Sequence, residues 1–180
     1  LINGEYEIEK RMMLAATVEK DGIELEKSIA LNDVVITKGP FSRIISLGIY
    51  VNNNFVDLYS ADGVVISSPT GSTAYSLSAG GPIASPDLKV LIITPICPHI
   101  LHSRSIVISN KDIVKIEVCL NNTEVMLTLD GQQGYKVKSG DIVVIRQSQY
   151  CTNLIKLKNR SFYQVLRQKM SERWSFNRQN

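Results

Sequence analysis

The sequence predicts a mainly β, sandwich-like, multi-stranded domain, and three observations predict it. Short apolar, β-branched runs recur at roughly 8–12-residue spacing with turn residues between them, as in two-sheet proteins. Helical signals are confined to two places, one after the Gly71-Ser72-Thr73-Ala74-Tyr75 run and one at the C-terminal end. The composition, 44% hydrophobic and 21% charged over 180 residues, is that of a globular chain rather than a disordered or coiled-coil one. A domain of this length buries a sizeable core without disulfides.

Each element follows in order. Met12 to Val18 reads as the first strand, closed by the Lys20-Asp21-Gly22 turn. Ile23, Leu25 and Lys27 alternate weakly with charged neighbours, and Leu31 to Thr37 forms the next clear strand before Lys38-Gly39-Pro40. Ile44 to Val51 and Phe55 to Tyr59, joined by Asn52-Asn53-Asn54, read as a hairpin. Val64 to Ser67 is a buried-type strand. Val90 to Thr94, Ser105 to Ser109, Ile113 to Leu120 and Val125 to Leu129 continue the series, with Asn121-Asn122 turning between the last two. Tyr135 to Val137 and Ile142 to Ile145 form a hairpin around Ser139-Gly140-Asp141, and Leu154 to Lys158 is the last strand. Thr73 to Ala79 reads as a short helix stopped by Gly80-Gly81-Pro82. Phe162, Val165, Leu166 and Met170 recur at helical spacing after Ser161, a plausible N-cap for a terminal helix running to Trp174.

Charge and cysteines narrow the class. The 20 Lys+Arg and 17 Asp+Glu leave a net +3 spread along the chain, which argues against a nucleic-acid partner. Three widely spaced cysteines, Cys97, Cys119 and Cys151, form neither a disulfide framework nor a CxxC metal pattern, so a reducing cytoplasm is expected. No signal segment opens the chain, and its apolar runs are far shorter than the roughly 20 residues that span a bilayer, so no membrane partner is expected. The first residue is Leu1 rather than Met, which raises the expectation that something precedes it.

One stretch does not read as scaffold: Asp62-Gly63 through Ser67-Ser68-Pro69-Thr70-Gly71-Ser72-Thr73-Ala74-Tyr75-Ser76-Leu77-Ser78 to Gly80-Gly81-Pro82. A buried strand runs into a small polar loop that opens a helix. Small residues allow close backbone approach, and the hydroxyls of Thr70, Ser72 and Thr73 can cap the helix or bond a polar ligand such as a nucleotide. A capping loop without ligand explains the same residues. The loop is neither a P-loop nor a GxGxxG fingerprint, and the GxSxG elbow of serine hydrolases is absent. Asn32-Asp33 places an amide and a carboxylate inside an apolar strand, able to read a base edge and a ribose hydroxyl or simply to end the strand. His99 and His102 follow the rigid Pro95-Ile96-Cys97-Pro98 loop as acid–base or contact candidates, with ordinary loop histidines as the plainer reading. Two histidines three apart, without further ligands at familiar spacing, do not make a zinc site. Asp130-Gly131 before Gln132-Gln133 reads as a turn.

Together these segments resemble the C-terminal domain of the NAD kinase family. The resemblance rests on Asn32-Asp33, on the SxPTGSTAYSLSAGGP run ending at Pro82, on Ile93-Thr94-Pro95-Ile96-Cys97-Pro98-His99 and on Leu129-Asp130-Gly131-Gln132, in that order and at fitting intervals. It covers the chain from about Arg11 to the terminal helix. It implies three segments: 1–10 as the tail of an upstream α/β domain, 11–160 as the β-rich NAD-binding domain, and 161–180 as the C-terminal helix and tail, whose Phe162 to Trp174 would pack back towards the upstream domain. It also implies an activity, transfer of the terminal phosphoryl of ATP, or of polyphosphate in some bacteria, to the adenosine ribose 2′-hydroxyl of NAD, giving NADP. A divalent metal, usually magnesium, assists, and the family is dimeric or tetrameric.

The resemblance implies the following site roles. Asn32 holds the adenosine part of NAD. Asp33 stands where the family usually has Glu, one methylene shorter, facing a ribose hydroxyl. Thr70 and Thr73 surround the adenine, while Ala74, Tyr75 and Ser78 line the NAD pocket. Asp62 contacts the nicotinamide end, in many members across a subunit boundary, and the Cys97 loop lies at a similar position. Asp130 and Gly131 lie near the same site. After His99 the chain departs from the family at Ile100, His102 and Ser105. The family's Gly-Gly-Asp-Gly motif, whose Asp is the proposed general base, does not occur in the 180 residues, and Gly80-Gly81-Pro82 cannot replace it. The chain alone is therefore expected to bind NAD without phosphorylating it. A non-catalytic β-sandwich nucleotide-binding or oligomerisation module and a related lipid kinase are the competing readings, the latter disfavoured by Asn32-Asp33 and the Thr-Ala-Tyr run.

Overall fold

Alternating side chains decide which face of each strand is buried. The computed structural model describes residues 6–40, 43–99, 103–119, 124–157 and 160–176. Its strands are β1 Glu7–Lys20, β2 Ile23–Ala30, β3 Asp33–Lys38, β4 Ile45–Val51, β5 Asn54–Ala61, β6 Gly63–Ser67, β7 Val90–Ile96, β8 Ile106–Ser109, β9 Val114–Val118, β10 Val125–Leu129, β11 Gln133–Val137 and β12 Ile142–Lys156. A 3-10 turn at Gly71–Thr73 and a four-residue helix, α1 (Tyr75–Ser78), follow β6, and α2 spans Phe162–Phe176.

The strands form two six-stranded sheets, in the orders β2-β1-β12-β9-β4-β5 and β11-β10-β3-β6-β7-β8. One buried cluster joins them: Val34 and Ile36 of β3, Val64 and Ile66 of β6, Leu91 and Ile93 of β7 and Leu127 of β10 meet Leu14 of β1, Leu47 and Ile49 of β4, Ile116 of β9 and Ile145 of β12. Each such side chain contributes about 1.5–3 kcal/mol on leaving water, so this seam is what holds the sandwich. The expected mainly β sandwich is the observed fold.

The chain divides into two compact units, Arg11–Thr152, which holds this core, and Leu1–Lys10 with Asn153–Asn180. In the second, Lys156 Nζ lies 3.3 Å from Glu7 and 3.2 Å from Glu9. Ser161 caps α2 in a reciprocal box: the Gln164 N–H donates to Ser161 Oγ (3.3 Å) and the Ser161 N–H to Gln164 Oε1 (2.9 Å).

Four elements differ from their sequence-based expectation. Tyr135–Val137 and Ile142–Ile145 do not form a hairpin: β11 pairs with β10 in one sheet and β12 with β9 in the other, so the Ser139-Gly140-Asp141 turn carries the chain between sheets. Ile142 to Ile145 and Leu154 to Lys158 are not separate strands: β12 runs unbroken from Ile142 to Lys156. Its middle is polar and largely exposed, so backbone pairing rather than apolar alternation sustains it. Only Ile142–Ile145 pair with β9, and β1 is the neighbour on the other side. Strand β3 begins at Asp33, because Leu31 and Asn32 form a bend. The helix expected over Thr73 to Ala79 is a 3-10 turn and then one α-turn, and the N-cap residues Thr70 and Ala74 make no side-chain cap bond, so the proposed capping by Thr70, Ser72 or Thr73 does not occur. The expected turns at Asp21-Gly22 and Asn52-Asn53 are present with positive φ at both central residues, the geometry of tight hairpins. Asn121-Asn122 lies outside the described residues.

Candidate functional site

Strand β3 has a second face. While Val34 and Ile36 enter the core, Asp33, Val35 and Thr37 point the other way and line a cavity of about 360 Å³. Asn32, Ala74, Tyr75, Thr128, Asp130 and Gly131 complete its lining.

The bend at Leu31–Asp33 is fully committed to hydrogen bonds by two residues. The N–H groups of Leu31 (2.7 Å) and of Asn32 (2.7 Å) and Asp33 (3.1 Å) donate to Oδ2 and Oδ1 of Asp130 respectively. The Leu31 carbonyl accepts from Ser68 Oγ (2.6 Å), the Asn32 carbonyl from the Ser68 N–H (2.9 Å) and the Asp33 carbonyl from the Asp130 N–H (3.1 Å). All six backbone polar groups are thereby paired, so the bend offers a ligand only the side chains of Asn32 and Asp33. The loop after β6 docks on this bend. Ser68 Oγ accepts the Gly71 N–H at 3.1 Å, and a Cβ at Gly71 would collide with the Asn32 carbonyl.

Asp33 is only 4% exposed. Burial, followed by the nearby charge of Asp130, pushes its carboxyl up to about 6, opposed by a hydrogen bond from the Tyr75 N–H. Asp33, across the fold, thus supplies the hydrogen bond at the start of α1 that no loop hydroxyl makes. The Tyr75 side chain is exposed, and its hydroxyl is pushed up by burial and then by the negative field of Cys97, Asp33 and Asp62.

Asp62 occupies the single residue between β5 and β6, where the chain passes from one sheet to the other. Its carbonyl accepts the Lys38 N–H (3.0 Å), its N–H donates to Ile96 (2.9 Å), and its carboxylate pairs with Lys38 Nζ at 2.8 Å. The next residue must be glycine, since a Cβ at Gly63 would strike the Ile36 carbonyl. Cys97 follows β7, exposed and with φ of 45°.

Of the residues singled out from sequence, Asn32, Asp33, Ala74, Tyr75, Asp130 and Gly131 share the cavity, and Asp62 and Cys97 act on the Tyr75 hydroxyl. Thr70, Thr73 and Ser78 do not line it. Thr70 Oγ1 is buried without a hydrogen-bond partner, Thr73 Oγ1 donates to the Thr70 carbonyl at 3.4 Å, and Ser78 is exposed. The His99 N–H donates to the Ser60 carbonyl at 2.9 Å, and its side chain is exposed; His102 lies outside the described residues. Val35, Thr37, Thr128 and Lys38 were missed. Period-two alternation from Asp33 would have found Val35 and Thr37, whereas Thr128 enters through its register with Val35, which only the folded sheet reveals. Among the described residues no group of three or more His, Cys, Asp or Glu comes together to hold a metal ion.

The family model for the ATP-NAD kinase C-terminal domain matches residues 31–157. A NAD kinase of Thermoanaerobacter sp. strain X514 is 56% identical over 173 residues, 96% of this chain and 61% of that protein. A NAD kinase of Moorella thermoacetica is 47% identical over 96% of the chain and 55% of its own length. The crystal structure of yeast NADH kinase complexed with NADH superposes with a TM-score of 0.87 at 26% identity, covering 94% of this chain and 50% of that one. A NAD kinase from Archaeoglobus fulgidus in complex with ATP shares the fold, with a TM-score of 0.68 at 24% identity. The chain thus spans about half to three-fifths of the length of the proteins it matches. With a family model over residues 31–157 and curated relatives at this identity, the chain belongs to the NAD kinase family, of which it is the C-terminal domain.

Proposed function

We propose that this chain supplies the acceptor-binding part of an NAD kinase, an enzyme that moves the terminal phosphoryl of ATP to the adenosine ribose 2′-hydroxyl of NAD. The observation that carries this reading is the Asn32–Asp33 bend, whose backbone polar groups are all paired within the protein and whose two polar side chains line a nucleoside-sized cavity together with Tyr75. The Asp33 carboxylate accepts hydrogen bonds from ribose hydroxyls, the Asn32 amide fixes the adenosine, and the Tyr75 ring packs on it. Ala74 lines the cavity beside Tyr75, and the resemblance places Thr70 and Thr73 around the adenine and Ser78 along the dinucleotide, positions they reach only if the loop shifts on binding. Asp62, neutralised by Lys38, receives the nicotinamide end, and the Cys97 loop adjoins it in a homodimer or homotetramer.

Phosphoryl transfer depends on positioning and charge neutralisation more than on covalent chemistry. The acceptor side of that positioning is built into this chain. The Gly-Gly-Asp-Gly motif that supplies the general base and phosphate-binding glycines in the family does not occur in the 180 residues, and we place that motif, with the donor phosphates and divalent metal, in the rest of the enzyme. Among the described residues no helix is long and apolar enough to cross a membrane, and we place the enzyme in the cytoplasm.

Calorimetric titration with NAD, paired with an NADP-formation assay with ATP and magnesium, tests the reading on the purified 180-residue chain. One-site NAD binding without NADP production is expected. Steady NADP production, or no NAD binding, overturns it. Tyr75→Ala is expected to weaken NAD binding by about 1–2 kcal/mol while leaving thermal stability unchanged. An effect on stability alone contradicts ring packing on the nucleoside.

A further inference from the structure

We propose that Asp130 is a positioning residue of this site, whose carboxylate holds the Leu31–Asp33 bend in its ligand-ready shape without touching the dinucleotide. The inference rests on the reading of the cavity as a dinucleotide site. Two acidic side chains line that cavity, and their surroundings give them opposite tasks.

Asp130 receives three backbone N–H groups from residues 97 to 99 positions away in sequence. Both of its oxygens are occupied, and three of about four acceptor sites on a carboxylate are used. Little capacity remains for a ribose hydroxyl. Its own N–H closes the arrangement on the Asp33 carbonyl at 3.1 Å. The residue reaches this position through a left-handed backbone, φ 49°, followed by Gly131 at φ 68°, a conformation that Asp and Asn tolerate better than other side chains. No other residue type offers two anionic oxygens, three N–H contacts and that backbone together. Asp33 is the reverse case. Among the described residues the Tyr75 N–H alone donates to its carboxylate, which sits buried beside the Asp130 charge. It is therefore the carboxylate that gains most from new hydroxyl donors. The charged and titratable groups around it are Asp130 from the end of β10 and Tyr75 of α1, and Tyr75 in turn faces Asp62 and Cys97.

The two roles separate experimentally on the 180-residue chain, with NAD as the probe. Asp130→Gly suits the positive φ and leaves three N–H groups unpaired, and it is expected to weaken NAD binding at least about tenfold and to abolish hydrogen-exchange protection at residues 31–33. Asp130→Asn keeps size, backbone tolerance and one carbonyl acceptor but removes the charge. It is expected to lose less affinity and to move the pH midpoint of NAD binding lower than in the wild type, because Asp33 then ionises more easily. Carboxyl NMR titration of Asp33 in the ligand-free chain is expected to show the same downward move. Wild-type affinity in Asp130→Gly, or unchanged protection at residues 31–33, overturns the proposal. Weaker binding by Asp130→Asn with an unmoved midpoint overturns it too, since that is the signature of direct ligand contact. Failure of the wild-type chain to bind NAD would refute the dinucleotide reading, while exchange protection and the Asp33 titration would still decide whether Asp130 holds the bend.

Discussion

Asp33 is a residue whose folded environment opposes its own charge. Its carboxyl rises from 3.8 to about 6 on folding, so the native state holds the proton more tightly than the unfolded chain between those values. Its contribution is therefore least unfavourable below about pH 4; stability falls as pH rises towards 6 and is level above that. The cost at pH 7 is on the order of 2–3 kcal/mol by the conversion of pKa shift to free energy. Asp33→Asn keeps an acceptor for the Tyr75 N–H and removes the buried charge. Thermal denaturation is expected to find it more stable than the wild type at pH 7 by about 1–3 kcal/mol, with the gain vanishing near pH 4, while NAD affinity falls. A variant less stable at pH 7 would show that the carboxylate is structural. In the wild type, NAD binding is expected to tighten as pH rises through about 6, with proton release measurable by calorimetry in buffers of different ionisation enthalpy. The identity of Asp33 was legible in sequence, as a carboxylate inside an apolar strand. Its burial and the split of roles between it and Asp130 were not, because both depend on the folded sheet, which brings residues 97 positions apart together.

At the scale of elements, the site is a bend and a loop clamped together. Ser68 takes both carbonyls of Leu31 and Asn32, and Gly71 packs directly on the second. Gly71→Ala would drive a methyl into the Asn32 carbonyl, and backbone cannot yield as a side-chain tip does. A loss of about 2–4 kcal/mol in unfolding free energy is expected from chemical denaturation, in the range of strained core overpacking, together with loss of NAD binding. Wild-type stability would contradict the docking geometry. The small-residue loop was legible as something other than scaffold, yet its glycines were read as room for a ligand. Gly71 in fact makes room for the chain's own backbone, and Gly81 for Ser76 and Thr94. Hairpin turns at Asp21-Gly22 and Asn52-Asn53 were legible because positive φ selects those residues locally. The polar middle of β12 was not, because its strand character comes from neighbours rather than from its own pattern.

At the scale of the molecule, one face of the β11-β10-β3-β6-β7-β8 sheet closes the sandwich and the other carries the site. The core residues of β3 anchor the same strand whose outward residues line the cavity, so fold and site share one rigid support. In the proposed function the adenosine of NAD is held by Asn32, Asp33 and Tyr75 beside an Asp130 engaged only with protein. A crystal structure of the chain with NAD decides it. Ribose hydroxyls within hydrogen-bond distance of Asp33, the nucleoside against the Tyr75 ring, and all three N–H bonds to Asp130 intact are expected. NAD bound elsewhere, or a ribose hydroxyl on Asp130 with Asp33 left empty, would contradict it.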